Sequence, residues 1–308
     1  MIDIYAFYQF IQINDCQKIK DSFQNKADEL GLKGIFLVAP EGINATVSGS
    51  SDNMKNFIQF IAETLDIEKI DYKVSHHFEH PFHRMKVKIK KEIITFKQDH
   101  IRPDQIVGKY LNTQEWNDLL NDPDTIIVDT RNDYEYELGT FKNALNPKTK
   151  KFTEFANYVD TDLAEFKDKK IATFCTGGVR CEKATSFMID RGFQNVYHLK
   201  GGILKYLEEV DPSENLWEGE CFVFDQRVGV HEKVEVSDCI LCHGCRHTLK
   251  TSDTTSEFYE PGVSCHHCYA DLTPEKIKSR RDRQKQIQLA ASRNTQHLGI
   301  PHQHHKNI

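Results

Sequence analysis

The first hundred residues alternate between two periods of apolar positions, one typical of strands and one typical of helices. Strand-like and helix-like stretches follow one another as Ile2–Phe10, Asp15–Leu30, Gly34–Ala39, Gly42–Ser48, Asp52–Leu65, Asp71–His76 and Met85–Ile89. The helix over Asp52–Leu65 is the clearest of them, because its apolar residues recur at helical spacing. The pattern therefore predicts an α+β domain with the order β-α-β-β-α-β.

This order is that of a ferredoxin-like, or acylphosphatase-like, fold, which we predict for residues 1–100. In the strand Met85–Ile89 the alternation is strict, with lysines on one face and Val and Ile on the other. Such a strand buries one face and exposes a row of positive charge on the other.

Residues 113–215 have a different rhythm, in which short apolar runs alternate with helical stretches. Thr113 is expected to cap a helix that ends near Leu120. The predicted strands and the longer helices are Thr125–Asp129, Phe152–Val159, Lys170–Phe174, Cys181–Arg191, Asn195–Leu199 and a helix from Ile203. Strands alternating with helices predict a parallel sheet covered on both faces. Ligands of such sheets bind at the carboxyl ends of strands, here the end of Lys170–Phe174.

The rest of the chain is polar and unevenly charged. Residues 216–272 are rich in Cys, His, Gly and Ser and show little periodicity, whereas residues 273–308 form a basic tail with a predicted helix from Pro274 to about Ser292. This tail holds eight Lys and Arg against two acidic residues, although the whole chain of 308 residues has a net charge of −6. The histidines of the tail, expected to be disordered, are His302, His304 and His305.

Composition excludes several classes of protein. No apolar run approaches the ~18 residues of a membrane span, and the start of the chain has no basic region before its apolar stretch, so no signal peptide is expected. The nine cysteines are an odd number, and without an export signal they indicate thiols or metal ligands. We expect a cytoplasmic protein that does not bind membranes.

The sharpest local signal is the segment Phe174–Lys183, FCTGGVRCEK, where a strand runs into a glycine loop and then a helix. Cys175 stands at the strand end, and Arg180 lies in the same loop. Converging backbone amides, the helix dipole and a guanidinium all favour a thiolate. We therefore predict that Cys175 is nucleophilic or carries sulfur, inside an anion cradle whose remaining members are Thr176, Gly177, Gly178 and Val179.

Cys181, at the start of the following helix, leaves the assignment of the essential thiol open. It can be a resolving thiol, a second nucleophile or a small packed residue. We assign the catalytic group as Cys175, Arg180 and Cys181, with Cys175 first because it occupies the strand end.

These residues resemble the rhodanese family, in which a catalytic cysteine opens the loop after a central strand and carries a persulfide. An earlier marker also fits, with Asp129 and Arg131 in DTRN and Tyr134-Glu135 after them. A late double glycine matches as well. The spacing Cys175-x4-Arg180 resembles active rhodaneses, whereas related phosphatases use Cys-x5-Arg. The resemblance implies structural roles for Asp129 and Arg131.

The resemblance extends beyond this domain to the rhodanese-containing tRNA uridine hydroxylase family. The segments that recur there in this order include EGINAT at 41–46, Val87–Phe96, the DTRN marker, CTGGVRCEKA and FVFD at 222–225. The match implies oxygen-dependent hydroxylation at C5 of the wobble uridine, with the tRNA anticodon region as partner, molecular oxygen as co-substrate and an unidentified electron donor. It covers about residues 1–230.

Three functions remain open from the residues themselves: the tRNA hydroxylase, a sulfurtransferase that carries a persulfide, and an RNA-binding scaffold. The intact Cys175 argues against the scaffold, and the N-terminal domain with its basic residues argues against a plain sulfurtransferase. For hydroxylation, a thiolate can add to C6 of the base, or a persulfide can act as reductant or oxygen carrier. No dinucleotide fingerprint and no P-loop occurs, so no flavin or nicotinamide site is expected.

A second strong signal predicts a structural zinc site in residues 216–272. The proposed ligands follow C-x2-C-x22-C-x2-C spacing and are Cys239, Cys242, Cys265 and Cys268. Other ligand sets remain possible with Cys245 and the histidines His243, His247, His266 and His267. A small polar segment needs such a site, because it has too little apolar mass to fold unaided.

An RNA substrate also needs a basic surface. The main candidates are expected on a single strand face and are Arg84, Lys86, Lys88, Lys90 and Lys91. The tail adds Lys276, Lys278, Arg280, Arg281, Arg283 and Lys285. Tyr134 and Tyr136 are candidates for stacking on a base turned out of the RNA. Four histidines look like a metal cluster, but their irregular spacing favours a solvated or RNA-facing role, and they are His76, His77, His80 and His83.

Overall fold

A computed structural model describes residues 1–293, so the predicted features of His302, His304 and His305 lie outside the described residues. The N-terminal elements are β1 (Ile2–Phe10), α1 (Cys16–Glu29), β2 (Lys33–Ala39), β3 (Gly42–Gly49), α2 (Ser51–Leu65), β4 (Tyr72–His77) and β5 (Met85–Ile89). They form a five-stranded sheet in the order β4-β1-β3-β2-β5. The predicted ferredoxin-like fold is confirmed, and β5 extends its sheet parallel to β2.

Only one face of this sheet is covered by its own helices. Alternate residues of the strands, such as Phe7 and Phe36, pack with Phe23 of α1 and Phe57 of α2 into one buried cluster. Asp15 is the N-cap of α1, and its side-chain oxygen accepts a hydrogen bond from the backbone N–H of Lys18 at 2.9 Å. The opposite face of the sheet is therefore available to the rest of the chain.

The next part is a parallel sheet with helices on both faces, as predicted. Its elements are β6 (Lys109–Leu111), α3 (Thr113–Leu120), β7 (Thr125–Asp129), α4 (Asp133–Tyr136), β8 (Gly139–Phe141), α5 (Phe155–Thr161), β9 (Lys170–Phe174), α6 (Val179–Asp190), β10 (Asn195–Leu199) and α7 (Gly202–Glu209). The strand order is β6-β10-β9-β7. Within β9, Ala172 and Phe174 join one buried cluster and Ile171 joins the other.

Two predicted helix starts need correction. Asn112, not Thr113, caps α3, because its side chain accepts the Glu115 N–H while Glu115 accepts the Asn112 N–H, each at 2.9 Å. Helix α6 begins at Val179, two residues before the predicted Cys181. The short elements β6, α4 and β8 were not predicted, because three or four residues carry too little periodicity.

The first compact unit runs from Met1 to Ser237, so the segment predicted as residues 216–272 is divided. Its first part contains β11 (Trp217–Gly219), β12 (Cys221–Phe222) and β13 (Gly229–Val230). Strand β11 pairs with β8, and Trp217, Cys221 and Val223 belong to the buried cluster of the parallel sheet. These short strands are stabilised by burial against the preceding domain, which a local sequence pattern does not reveal.

The second unit begins at Asp238 and contains β14 (Ile240–Leu241), β15 (Thr248–Leu249) and α8 (Pro274–Ser292). The predicted tail helix is confirmed, with Thr273 as its N-cap. None of its residues is buried. Among the helices of residues 1–293, none is both long and apolar enough to cross a membrane.

Candidate active site and metal centre

The loop after β9 wraps around the sulfur of Cys175, which is fully buried. The backbone N–H groups of Ile203 and Leu204, at the start of α7, donate to the carbonyls of Cys175 and Thr176, both at 3.0 Å. With these carbonyls turned towards α7, loop amides face inwards, and the N–H of Gly178 donates to the Cys175 Sγ at 3.1 Å. Inward-facing amides of this kind can bind an anion, as the predicted cradle requires.

Two glycines are required by this arrangement. Gly178 has a φ of 101°, a conformation that other residues rarely adopt. A Cβ atom on Gly202 would lie 2.5 Å from the carbonyl oxygen of Cys175, so α7 can approach the loop only with glycine there.

Arg180 is held by a residue that the sequence analysis did not assign to the site. Its guanidinium forms two hydrogen bonds of 2.7 Å with the carboxylate of Glu135, and both side chains are buried. Thr176 Oγ1 donates to the same carboxylate at 3.2 Å. Burial alone would raise the pKa of Glu135, but the charges of Arg180 and Arg131 lower it. The Tyr134-Glu135 marker in the sequence is the feature that could have identified Glu135 as part of the site.

Asp129 and Arg131 form a second buried ion pair, with Arg131 Nη2 2.6 Å from Asp129 Oδ2. Arg131 also donates to the carbonyl of Gly139 at the start of β8. This pair joins the end of β7 to β8, which agrees with the structural role implied by the resemblance.

The surroundings of Cys175 favour the thiolate. Burial by itself would raise its pKa, but a hydrogen bond from the Cys181 thiol, the charge of Arg180 and backbone N–H groups outweigh it and lower the pKa to about 5. Cys181 is affected in the opposite direction, since burial and the neighbouring Cys175 raise its pKa well above that of an ordinary thiol. Of the two thiols, Cys175 therefore has the surroundings expected of a nucleophile, and Cys181 has those of a protonated hydrogen-bond donor.

This difference predicts how the two thiols react with an alkylating agent. We expect iodoacetamide to modify Cys175 at neutral pH, with a rate that rises through a midpoint at about pH 5 and then levels off. Cys181 is expected to stay unmodified up to about pH 9. Peptide mass spectrometry of the alkylated protein measures both, and preferential labelling of Cys181 would contradict the assignment.

A cavity of about 400 Å³ opens onto this loop, and three parts of the first unit form most of its walls. One wall is the loop itself, with Cys175 and Arg180. The second is the face of the N-terminal sheet that its own helices leave free. The third is the segment after β12, which includes Phe224 and Arg227. Such a volume is within the range of small-molecule and cofactor sites.

Polar side chains from both sheets contact the site, and the sequence analysis missed them. Tyr8 on β1 and Tyr110 on β6 donate to the two carboxylate oxygens of Glu182, at 2.6 and 2.7 Å. Lys73 on β4 donates to the carbonyl of Gly177 at 2.8 Å. These contacts join residues up to 174 positions apart, so no local signal identifies them.

Lys183, directly after Glu182, strengthens the same contact between domains. Its Nζ lies 2.8 Å from a carboxylate oxygen of Glu41 and 2.7 Å from one of Glu92. Only 2% of its side chain is exposed, so both ion pairs are largely shielded from solvent. Glu41 and Glu92 lie in or near the two N-terminal segments that carried the family resemblance.

The basic residues predicted to bind RNA lie along one edge of the N-terminal sheet, on and beside β5. Lys86 and Lys88 pair in register with Ile35 and Leu37 of β2, which line the cavity, so all four lie on one face. Arg84, Lys88, Lys90 and Lys91 are exposed. Tyr134, proposed for stacking, packs edge-on against Phe222 instead.

The second unit brings four cysteine thiols together, within 4.8 Å of one another: Cys242, Cys245, Cys265 and Cys268. The predicted ligand set is corrected at one position, because Cys245 occupies the place given to Cys239. The resulting spacing is C-x2-C-x19-C-x2-C, within the usual range of zinc sites, whereas the pairing with Cys239 had a longer gap. Among residues 1–293 no other group of metal-ligating side chains is found, including the four histidines near β4.

The cluster fits a metal such as zinc by its donor chemistry. Cys242 and Cys245 belong to the turn between β14 and β15, and Cys245 Sγ lies 3.6 Å from Cys265 Sγ. Arg280 of α8 donates to the carbonyls of Val263 and Gly244 and to the sulfur of Cys268, which holds the helix against the cluster. Four thiolates would close the coordination sphere, as in structural zinc sites.

Comparison with known proteins supports the same division of the first unit. Residues 2–93 match the family described as UPF0176 acylphosphatase like domain, and residues 112–209 match the rhodanese-like domain. The chain is thus an acylphosphatase-like domain joined to a rhodanese domain with a candidate active-site cysteine. This order matches the architecture of the UPF0176 family.

Solved structures with similar parts are distant in sequence. The Alr3790 protein of Anabaena sp. is 21% identical, with 35% of this chain and 91% of that chain covered and a TM-score of 0.30. The human single-domain sulfurtransferase TSTD1 is 20% identical, with 34% and 99% covered and a TM-score of 0.29. An acylphosphatase from Coxiella burnetii is 13% identical, with 28% and 90% covered and a TM-score of 0.24.

Proposed function

We propose that this protein is a tRNA-modifying enzyme that hydroxylates the wobble uridine at C5 in an oxygen-dependent reaction, with Cys175 as the nucleophile. The rhodanese domain supports cysteine-based chemistry in general. The narrower assignment depends on one observation, the cavity in which the Cys175 loop faces the sheet of the N-terminal domain.

This cavity suits a flat, partly polar ring better than a small inorganic sulfur donor. Its walls combine apolar side chains with Asn44, Asn132 and Lys73, which can bond the carbonyl and N–H groups of a pyrimidine. Phe224 lies at the wall and is 59% exposed, which leaves its ring available for stacking on a base. A base turned out of an RNA loop is recognised in this way.

The Cys175 thiolate supplies the chemical route. Addition of the Cys175 sulfur to C6 of uracil makes C5 electron-rich, and C5 can then react with an oxygen species. The overall reaction converts C5–H, O₂, two electrons and two protons into C5–OH and water. The two electrons come from a separate reductant, and the sulfur leaves C6 when the ring recovers its double bond.

The position of the β5 lysines supports an RNA substrate. Lys86 and Lys88 continue the cavity-facing side of the sheet towards its edge, where a phosphate backbone can run past the cavity. The described part of the tail is also basic, with exposed residues such as Lys276 and Lys278 on α8. The positive charge of β5 beside the cavity raises the encounter rate with a polyanion even though the whole chain is acidic.

A sulfurtransferase is the second candidate, favoured by the Cys175-x4-Arg180 loop and its stabilised thiolate. In that reaction a sulfane sulfur moves from a donor to the thiolate and then to an acceptor thiol. The same cradle would stabilise the persulfide.

The two candidates are separated by incubating the purified protein with unmodified tRNA, oxygen and a thiol reductant, followed by nucleoside mass spectrometry. We expect 5-hydroxyuridine in reactions with oxygen and none in anaerobic ones. Sulfide release from thiosulfate without 5-hydroxyuridine would favour the sulfurtransferase. Analysis of tRNA from a deletion strain tests the same assignment in the cell.

A charge variant tests the RNA surface. Replacing Lys86 and Lys88 with alanine is expected to weaken tRNA binding and to reduce the slope of log affinity against log salt by about 1.4, since each phosphate contact contributes about 0.7 on single strands. Binding measured at several salt concentrations gives this slope. The matched control removes two exposed lysines on the helix side of the same domain, Lys18 and Lys55. Equal losses in both double variants would argue against β5 as the binding edge.

A further inference from the structure

Three cationic side chains line the cavity, and only one of them lacks a carboxylate partner within the described part of the chain. Arg180 is paired with Glu135, and Arg227 is paired with Asp225 at 2.6 Å. The Lys73 ammonium instead donates to the carbonyl oxygen of Gly177 and lies 4.8 Å from the centre of the Tyr8 ring. The Lys73 ammonium therefore has no carboxylate ion-pair partner among residues 1–293, although Glu182 and Asp71 act on its charge from further away.

Burial of the Lys73 ammonium destabilises the fold, which indicates that its positive charge serves a function. The residue is only 8% exposed, and a buried ammonium without an anionic partner destabilises a fold. Burial lowers the pKa of Lys73 to about 8, against the opposing effect of Cys175, Glu182 and Asp71, while Lys205 lowers it further. Among the charged neighbours that act on it, the Cys175 thiolate has the largest effect.

We propose that Lys73 is the charge-stabilising cation of the Cys175 reaction, so that the N-terminal domain supplies a catalytic group to the rhodanese loop. Arg180 is less suited to this role, because both of its terminal nitrogens are engaged by Glu135. Lys73 reaches the same loop from the opposite wall, at Gly177. The catalytic site is then complete only when both domains are present.

The role of Lys73 in the hydroxylation, which rests on the proposed function, is to stabilise an enolate. When the Cys175 sulfur bonds to C6, the C5–C6 double bond opens and its electron pair moves through C5 and C4 to O4. The Lys73 ammonium shares a proton with O4, which lowers the energy of this anion. Reversal breaks the C–S bond and restores the double bond, and a proton taken up at C5 in between exchanges the C5 hydrogen without any oxidant.

Alkylation of Cys175 in the intact protein tests whether Lys73 stabilises the Cys175 thiolate. This test needs no substrate. We expect Lys73→Met to raise the pH midpoint of iodoacetamide labelling by about one unit, since an opposite charge nearby shifts a pKa by about 1–3 units. Lys73→Arg is expected to keep the labelling midpoint close to the wild-type value, because it keeps the positive charge. The control is Lys69→Met, which removes a lysine four positions away whose side chain is 80% exposed. An unchanged midpoint in a folded Lys73→Met protein would overturn the proposal.

Hydrogen exchange at C5 tests the enolate role. In anaerobic D₂O, the wild-type protein is expected to introduce deuterium at C5 of the target uridine, and Lys73→Met to slow this at least about tenfold. The wild-type rate is expected to fall above about pH 8 as Lys73 loses its proton, and Lys73→Arg to remove that decline. Exchange that is equally fast in Lys73→Met would overturn the enolate role.

Thermal unfolding separates these effects from a loss of folding. Lys73→Met is expected to unfold at the wild-type temperature or higher, because it replaces a buried ammonium that has no carboxylate ion-pair partner with an apolar chain of similar length. If it unfolds at a lower temperature, Lys73→Gln is tested by the same criteria. Absence of exchange in the wild type would contradict the proposed hydroxylase chemistry, whereas the labelling midpoint would still decide whether Lys73 stabilises the Cys175 anion.

Discussion

Replacing Cys175 with alanine is expected to abolish 5-hydroxyuridine formation, with a loss of about 10³-fold or more, because removal of a covalent nucleophile leaves only binding and electrostatic effects. We propose that this thiolate is the group that bonds to C6 of the base. We expect tRNA binding to persist, since the β5 lysines and the cavity walls remain. The measurement is nucleoside mass spectrometry of tRNA from a deletion strain carrying either wild type or Cys175→Ala.

A neighbouring buried cysteine supplies the control for this variant. Cys221 is fully buried in the same unit, but burial raises its pKa to about 12, so it remains a thiol at neutral pH. Cys221→Ala is expected to retain activity apart from any loss caused by the small cavity that it leaves. If Cys175→Ala still forms the modified base at the wild-type level, both the covalent route and the nucleophile assignment are wrong.

Metal content is expected to respond in opposite ways to two nearby cysteine variants. Cys245→Ser should remove the bound metal and unfold the second unit, because its thiol is one of the four that meet. Cys239→Ser should retain one metal ion per chain. The expected effect is large, since structural zinc contributes about 10–16 kcal/mol to the folding of small domains. Metal analysis of the purified proteins measures the stoichiometry, and chelator titration followed by circular dichroism measures the unfolding.

The comparison is informative because both residues belong to CxxC pairs with Cys242. The wild-type protein sets the upper limit of the metal content. Cys242→Ser sets the lower limit, because Cys242 is a ligand in both assignments. Loss of metal in Cys239→Ser with retention in Cys245→Ser would restore the ligand set predicted from the sequence and contradict the arrangement of thiols described above.

The candidate nucleophile was predictable because its environment is local in sequence. Strand β9, the glycine loop and helix α6 are consecutive, so the segment Phe174–Lys183 already contains the thiol, the turning glycines and the cation. The ferredoxin-like domain was predictable for a similar reason, since its strands and helices are long enough to display their periods. Short strands such as β8 and β11 depend on each other and on burial, and no local period marked them.

The cysteine cluster shows the limit of spacing rules. Cysteines at 239, 242 and 245 offer two overlapping CxxC pairs, and the sequence has no local feature that selects between them. The hairpin of β14 and β15 selects the second pair, because its turn brings Cys245 to within 3.6 Å of Cys265.

By itself, the sequence determined the two α/β domains, the position of Cys175 and the presence of a cysteine cluster, because each depends on residues that are close along the chain. Only the tertiary structure decided what surrounds the thiolate. Glu135 engages Arg180, and Lys73 approaches the same loop from a strand about a hundred residues earlier, at Gly177. Such partners are chosen by the packing of one domain's open sheet face against another domain's loop, and side chains that meet only through this packing leave no periodic or spaced pattern in the sequence.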